Sequence, residues 1–91
     1  MNFKEKVLAI VRKIPQGNVL TYKEVAEKAD SPNAPRAVGT VMKNNYDLTV
    51  PCHRVIRSDR HVGEYNRGGE SAKIALLKKE GVKFNGTTVL Y

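Results

Sequence analysis

The sequence predicts one small domain that is mainly α-helical, with short β elements and a β-hairpin at its C-terminal end. Its 91 residues suffice for one compact domain and are too few for two. Apolar residues recur at helical spacing in several segments, whereas the extended segments are short. The dipeptide Asn85-Gly86 stands between apolar residues, and it is the strongest short signal of a hairpin. These observations define the fold class.

The elements of the first half follow from apolar spacing and from capping residues. Apolar residues three or four positions apart give the first helix one buried face, and Pro15 to Gly17 ends it. Thr21 and Glu24 form a capping box, in which the Thr21 hydroxyl accepts from a backbone N–H and Glu24 reaches back. The expected elements are a helix from Phe3 to Ile14, an extended segment from Val19 to Thr21, a helix from Tyr22 to about Ala29, a turn-rich connector from Asp30 to Pro35 and a helix from about Pro35 to Asn44.

The second half is justified in the same way. In its helix, Ile74 and Leu77 are expected to face inward, and Gly81 is the C-terminal stop. The polar, glycine-rich stretch before this helix predicts a loop, and long ordered loops in small domains are often functional. The expected elements are an apolar, β-branched segment from Leu48 to Ile56, a loop from Ser58 to Gly69, a helix from Glu70 to Glu80 and a hairpin from Lys83 to Leu90.

The two helices around Asp30–Pro35 have the layout of a helix-turn-helix, because their connector is tight and polar and the second helix is basic. An ordinary helical hairpin has the same pattern. The formal net charge of +7 favours polyanionic partners through phosphate neutralisation and counterion release. Many small basic proteins bind no nucleic acid, so charge alone leaves this partner open.

Composition also argues against several classes of protein. No apolar run approaches the length of a bilayer span, and charges interrupt Met1 to Gly17, which argues against a signal peptide. We therefore expect no membrane partner and a cytoplasmic location. A single cysteine cannot form an internal disulfide or a cysteine-rich zinc site, which fits a reducing compartment. We expect no metal and no cofactor.

The only cysteine, Cys52, lies in Val-Pro-Cys-His-Arg-Val-Ile, directly before His53. A thiol acts as a nucleophile only as the thiolate, so it needs a nearby base or positive charge. Neighbouring side chains of a strand point to opposite faces, so the two residues cooperate only if the backbone bends near Pro51 or a water links them. A lone cysteine in an apolar run is usually a small core residue. This segment alone therefore favours a core cysteine over a catalytic one.

The rest of the chain changes that balance. Segments resembling the O6-alkylguanine-DNA alkyltransferases, suicide DNA-repair proteins, occur in the family's order: TYKEVA, PRAVGTVMKNN, PCHRV, VGEY with GG, and ALLKKEG. The resemblance covers Phe3 to about Val82. It implies the winged helix-turn-helix-like C-terminal domain of that family, which carries both the DNA-binding surface and the active site. Larger members have a further N-terminal domain, which we expect this chain to lack.

The resemblance implies a catalytic role for each matching residue. Cys52 matches the cysteine that accepts the alkyl group, and His53 matches the histidine that deprotonates it through a water. Glu80 matches the glutamate that holds this histidine. Asn45 matches the hinge between the recognition helix and the active-site segment. Tyr22 matches the tyrosine that donates towards guanine N3 and crowds the phosphate of the flipped nucleotide.

The same resemblance implies binding residues. Arg36 matches the arginine that fills the place of the flipped base, and an intercalating side chain offsets part of the cost of flipping. The recognition helix would enter the minor groove, where close approach requires small residues. The expected DNA-binding residues are Tyr22, Arg36, Ala37, Gly39, Thr40 and Lys43, and the expected pocket residues are Met42, Val55, Tyr65 and Asn66.

The implied function is single-turnover transfer of an alkyl group from O6-alkylguanine in duplex DNA to Cys52 by a monomer acting in the cytoplasm, nucleoid or nucleus. One alternative is an alkyltransferase-like protein that binds the lesion without repairing it, against which the cysteine argues. Another is a plain helix-turn-helix module with an inert cysteine. The segment before Cys52 is about one residue shorter than the family's usual one and the loop around Asn66 about one longer, so the range of alkyl groups stays open.

Overall fold

The structure, a computed structural model, describes residues 1–90 and confirms the mainly helical fold with short strands. The helices are α1 (Phe3–Arg12), α2 (Tyr22–Lys28), α3 (Pro35–Lys43) and α4 (Gly69–Lys79). The strands are β1 (Leu20–Thr21), β2 (Val55–Ile56), β3 (Lys83–Asn85) and β4 (Thr88–Leu90), and a 3-10 turn covers Cys52–Arg54. Strands β1 and β2 pair in parallel, whereas β3 and β4 form the antiparallel C-terminal hairpin that the sequence predicts.

Local capping explains where the helices begin and end. The predicted capping box at α2 is present, with the Glu24 N–H 3.1 Å from the Thr21 hydroxyl and the Thr21 N–H 2.9 Å from the Glu24 carboxylate. Helix α1 ends at Arg12 rather than Ile14. The residue before a proline is disfavoured in the helical conformation, so Pro15 ends the helix early.

The core consists of two clusters of buried side chains. The first joins the three N-terminal helices to the segment around Cys52, and the second lies between α4 and the hairpin. The fully buried members of the first cluster are Val7, Val11, Val25, Ala26, Val38, Val50 and Val55. No helix within residues 1–90 is long and apolar enough to cross a bilayer.

The polar loop from Ser58 to Gly69 is held against the hairpin. The Val62 N–H donates to the Thr87 carbonyl and the Val89 N–H donates to the Arg60 carbonyl, each at 2.9 Å. The Val62 side chain is fully buried in the second cluster. Backbone hydrogen bonds and apolar burial therefore give this loop a defined conformation beside the helix-turn-helix pair.

Candidate functional site

A cavity of about 950 Å³ opens between α3 and the loop that follows β2. Its wall brings together many of the residues that the sequence nominates for substrate and DNA binding. These are Tyr22, Arg36, Gly39, Thr40, Met42, Lys43, Cys52, Tyr65 and Asn66. The loop adds residues that the sequence interpretation did not nominate, namely Arg57, Ser58, Asp59, His61, Gly63 and Glu64, and Glu70 follows from α4.

A backbone turn places Cys52 in the cavity wall. The Cys52 N–H donates to the Val50 carbonyl at 2.8 Å, and the Arg54 N–H donates to the Pro51 carbonyl at 2.9 Å. This is the bend near Pro51 on which cooperation between Cys52 and His53 depends. Cys52 is 4% exposed and belongs to the first core cluster. It is therefore a core residue and a cavity residue at once.

The parallel pairing of β1 and β2 brings Tyr22 to the same cavity. Thr21 lies opposite Ile56, so the residue that follows β1 comes beside the residues that follow β2. Tyr22 is the first residue of α2, and the Thr21 capping box fixes where that helix begins. Burial raises the pKa of Tyr22, and the neighbouring Cys52 and Glu64 raise it further. The phenol therefore keeps its proton and stays a hydrogen-bond donor at neutral pH.

His53, Arg54 and Glu80 form a hydrogen-bonded group directly after the cysteine. His53 Nε2 is 2.9 Å from Glu80 Oε2, and both side chains are 13% exposed. Arg54 donates to the same carboxylate from Nε at 2.9 Å and from Nη2 at 2.8 Å, and its Nη1 donates to the Ile14 carbonyl at 2.8 Å. These bonds give Arg54 a structural role, because it links Glu80 to the end of the first helical segment.

The carboxylate of Glu80 is held in its charged form. The hydrogen bonds from Arg54 lower the pKa of Glu80 to about 2, and His53 adds to this effect against the opposing effect of burial. If Nε2 of His53 donates to this carboxylate, Nδ1 is left as the acceptor nitrogen of the neutral ring. No residue within 1–90 hydrogen-bonds to Nδ1. The ring is therefore fixed in orientation and retains one free basic atom.

Gly17 allows the approach of the chain to this group. Its φ of +89° lies in the left-handed region, and a Cβ at this position would lie 3.2 Å from the Glu80 carbonyl oxygen. A larger residue at Gly17 would therefore both strain the backbone and press on Glu80. The turn after α1, which the sequence predicts only as a helix stop, therefore passes close to the backbone of Glu80.

Lys73 is a site residue that the sequence interpretation missed. Its side chain is 1% exposed, and its Nζ donates to the Glu64 carbonyl at 3.2 Å. The same Nζ lies 5.9 Å from the centre of the Tyr22 ring, within the range of a cation–π interaction. Burial lowers the pKa of Lys73 to about 8, although the nearby Cys52 and Glu70 act in the opposite direction.

The sequence does carry a signal for Lys73. It lies next to Ile74 and four residues before Leu77, which places it on the inward face of the predicted helix. Gly63 lies nearby, with a φ of +78°, and a Cβ there would lie 3.2 Å from the Arg57 side chain and at an ordinary contact distance of 3.8 Å from Lys73 Nζ. A charged residue on an inward helical face is the pattern that nominates it.

The outer face of α3 carries the residues nominated for DNA binding. Arg36, Thr40 and Lys43 recur at helical spacing, are exposed and line the cavity, whereas Val38 and Met42 on the inner face are buried. Ala37 is also exposed. A Cβ built on Gly39 would meet nothing within 4 Å, so packing within this chain does not require glycine there.

Five nominated residues lie outside this wall, namely Ala37, Asn45, His53, Val55 and Glu80. Val55 is fully buried in the first core cluster, so the structure places it behind the cavity. Asn45 is buried just after α3, and its Oδ1 accepts from the Asp47 N–H at 3.2 Å. Within residues 1–90, the buried Asn45 Nδ2 has no hydrogen-bond partner. His53 and Arg54 line a smaller cavity, of about 390 Å³, with Leu76.

The fold and the site together define a helix-turn-helix domain with a buried cysteine in its cavity wall. Residues 2–82 match the family model of the 6-O-methylguanine DNA methyltransferase, DNA binding domain, and the chain belongs to this family. It is 46% identical over 85 residues to the methylated-DNA–protein-cysteine methyltransferase of Methanothermobacter thermautotrophicus, which covers 92% of this chain and 47% of that protein.

A mammalian relative is also similar over most of this chain. The methylated-DNA–protein-cysteine methyltransferase of Rattus norvegicus is 40% identical over 83 residues, covering 89% of this chain and 40% of the relative. The chain thus spans about half the length, or less, of these curated relatives.

Solved structures agree in fold. Mycobacterium tuberculosis OGT in complex with DNA has a TM-score of 0.82 at 36% identity, over 89% of this chain and 49% of that one. S. pombe Atl1, in complex with damaged DNA containing O6-carboxymethylguanine, has a TM-score of 0.80 at 33% identity, over 96% of this chain and 84% of that one.

Proposed function

We propose that this domain repairs DNA by transferring the alkyl group of O6-alkylguanine in a duplex to its own Cys52, once per molecule. The observation that carries the proposal is the position of the thiol. Cys52 lies in the wall of a cavity large enough for a base, and the next residue, His53, is fixed by Glu80 and Arg54. A cysteine that served only the core would need neither the cavity nor the fixed histidine.

The chemical step follows from these positions. The thiol proton passes, through a water, to the free ring nitrogen of His53, and Glu80 stabilises the imidazolium that forms. The thiolate sulfur then attacks the alkyl carbon in line, so that the S–C bond forms as the C–O6 bond breaks. The electron pair moves to the guanine, and the Tyr22 hydroxyl donates towards N3 as negative charge develops there. The guanine anion takes up one proton from solvent and the His53 imidazolium returns one to solvent, so the products are guanine and a stable thioether, which ends the activity of that molecule.

The base has to leave the duplex before this step. Its alkyl group lies on a base edge inside the helix, so the nucleotide is flipped into the cavity at a cost of a few kcal/mol. Arg36, exposed at the start of α3 and at the cavity edge, fills the space left in the stack. The open space outside Gly39 and the small Ala37 let α3 enter the minor groove. The net charge of +7 supplies affinity that does not depend on sequence.

A second candidate function is lesion binding without repair. Its support is the similarity to S. pombe Atl1, whose solved complex contains damaged DNA. The presence of Cys52 in the cavity wall favours transfer over binding alone. We propose that either activity takes place on DNA in the cytoplasm, nucleoid or nucleus and is performed by a monomer.

Intact-protein mass spectrometry tests the proposal. After incubation with a duplex containing O6-methylguanine, we expect a gain of one methyl mass on the protein. Cys52→Ser is the matched variant, since it keeps the size and polarity of the side chain and removes the acceptor sulfur. If both the wild type and Cys52→Ser gained a methyl mass, the acceptor would be a residue other than Cys52. Tight binding to the lesion with no mass gain by the wild type would favour the second candidate.

A further inference from the structure

Asn66 connects the cavity loop to the end of α3. Its Nδ2 is 2.7 Å from the Lys43 carbonyl, 2.8 Å from the Asn45 carbonyl and 3.3 Å from the Met42 carbonyl. An amide nitrogen carries two hydrogens, so the two shorter contacts are the principal hydrogen bonds. One side chain of the loop therefore hydrogen-bonds both to Lys43, the last residue of the helix, and to Asn45, which follows the helix.

These hydrogen bonds give partners to backbone carbonyls at the end of α3 that have none within the helix. The last four carbonyls of an α-helix have no partner within the helix. At α3 the Thr40 carbonyl accepts from the Asn44 N–H, whereas the Lys43 carbonyl accepts from the Asn66 side chain. The loop thus supplies the donor that the next turn of a longer helix would supply. The same interaction positions both the loop and the end of the helix.

Arg67 supplies a second connection. Its Nη2 donates to the Asp47 carbonyl at 3.0 Å and lies 3.4 Å from the Asn45 carbonyl. Tyr65 and Asn66 belong to one side of the cavity, and Met42 and Lys43 belong to the other. The Asn66 bonds therefore span the two sides of the cavity, and the Arg67 bonds join the same loop to the segment that follows α3.

We propose that Asn66 is a positioning residue that fixes the separation of the two cavity walls and so restricts the size of the alkyl group that fits well. The inference rests on the proposed function, because it assigns the cavity to an alkylated base. With the bonds intact, a small alkyl group touches both walls. Without them the loop moves outward, contact with a methyl group is lost, and a bulky group fills the added space.

The test measures binding, so that it is independent of transfer. In a Cys52→Ser background, fluorescence anisotropy gives the affinity for identical duplexes that contain guanine, O6-methylguanine or O6-benzylguanine. Asn66→Ala is expected to weaken binding of the methyl duplex about fivefold and of the benzyl duplex less than about twofold. Affinity for the guanine duplex should stay unchanged.

Two further variants complete the test. Asn66→Ser keeps one hydrogen-bond donor, so it should shift the ratio of benzyl-duplex to methyl-duplex affinity in the same direction but by less. It replaces the alanine variant in the test if that variant does not fold. Asn85→Ala, an exposed asparagine of the hairpin, should leave the ratio unchanged. Equal losses for both lesions, or no change in either, would overturn the inference. Failure of the proposed function is seen separately, as absence of mass gain on wild-type Cys52.

Discussion

Replacing the buried lysine with a methionine should make this protein more stable at neutral pH. Lys73 is 1% exposed, and burial lowers its pKa from 10.5 to about 8. Each pKa unit corresponds to about 1.4 kcal/mol, so the charged form costs about 3 kcal/mol relative to the neutral one. Methionine has a similar length and no charge. It leaves the Glu64 carbonyl without its donor, at a cost of about 1 kcal/mol.

The net expectation for Lys73→Met is a gain of about 2 kcal/mol in the free energy of unfolding at pH 7. The pH dependence gives a second readout. Because the folded pKa is below the unfolded one, the unfolded chain binds more protons between pH 8 and 10.5, and stability rises with pH in that window. Below pH 8 the lysine is charged in both states and the cost is fully present. The variant should lack this rise.

Urea unfolding of both proteins at pH 7, 8, 9 and 10 measures these quantities, and their difference isolates Lys73, since the other titrating groups are shared. Lys79→Met on the same helix is the control, because it removes the same charge from an exposed position and should change stability little. A Lys73→Met protein less stable than the wild type at pH 7, with an unchanged slope above pH 8, would refute the reasoning.

Other predictions concern Glu80, Gly39 and Arg36. The pKa of Glu80 is held at about 2 in the folded state, so its contribution of about 3 kcal/mol is present above pH 4.5 and is lost as the pH falls towards 2. Glu80→Gln should remove most of this acid dependence in urea unfolding, and an unchanged profile would contradict the ion-pair geometry. Gly39→Ala should stabilise the fold by about 0.5–1 kcal/mol, as its Cβ meets open space in a helix, yet weaken DNA binding in anisotropy titrations. Unchanged affinity would indicate that the DNA minor groove does not approach α3 at Gly39. Arg36→Ala should slow alkyl transfer from duplex DNA far more than from a free guanine analogue, and equal losses would count against insertion into the stack.

The features predicted correctly from the sequence are those that depend on neighbouring residues. The capping box of Thr21 and Glu24, the hairpin at Asn85 and the end of α1 near Pro15 are set within a few positions of the chain. The helix bounds differ by one or two residues, because local sterics decide the last turn. The turn at Cys52 was open in the sequence, since it depends on hydrogen bonds that an apolar pattern does not encode.

The features that the sequence interpretation missed depend on side chains from distant segments. Lys73 reaches Glu64 and Tyr22, and Asn66 reaches the end of α3 more than twenty positions earlier. Neither contact follows from periodicity, because both are made after the loop folds back onto the helices. The resemblance to a family nominated Asn66 as a pocket residue, but its role as a connection between two walls required the structure.

The distribution of unfavourable features argues that this cavity has a function. Lys73 is buried with a lowered pKa, and Asn45 Nδ2 is buried without a partner in residues 1–90. Each opposes folding. Lys73 lies beside Tyr22, which lines the cavity, and Asn45 follows the helix that forms the cavity wall. Selection for stability alone would remove such features, and their position next to the cavity is expected where binding and chemistry depend on them.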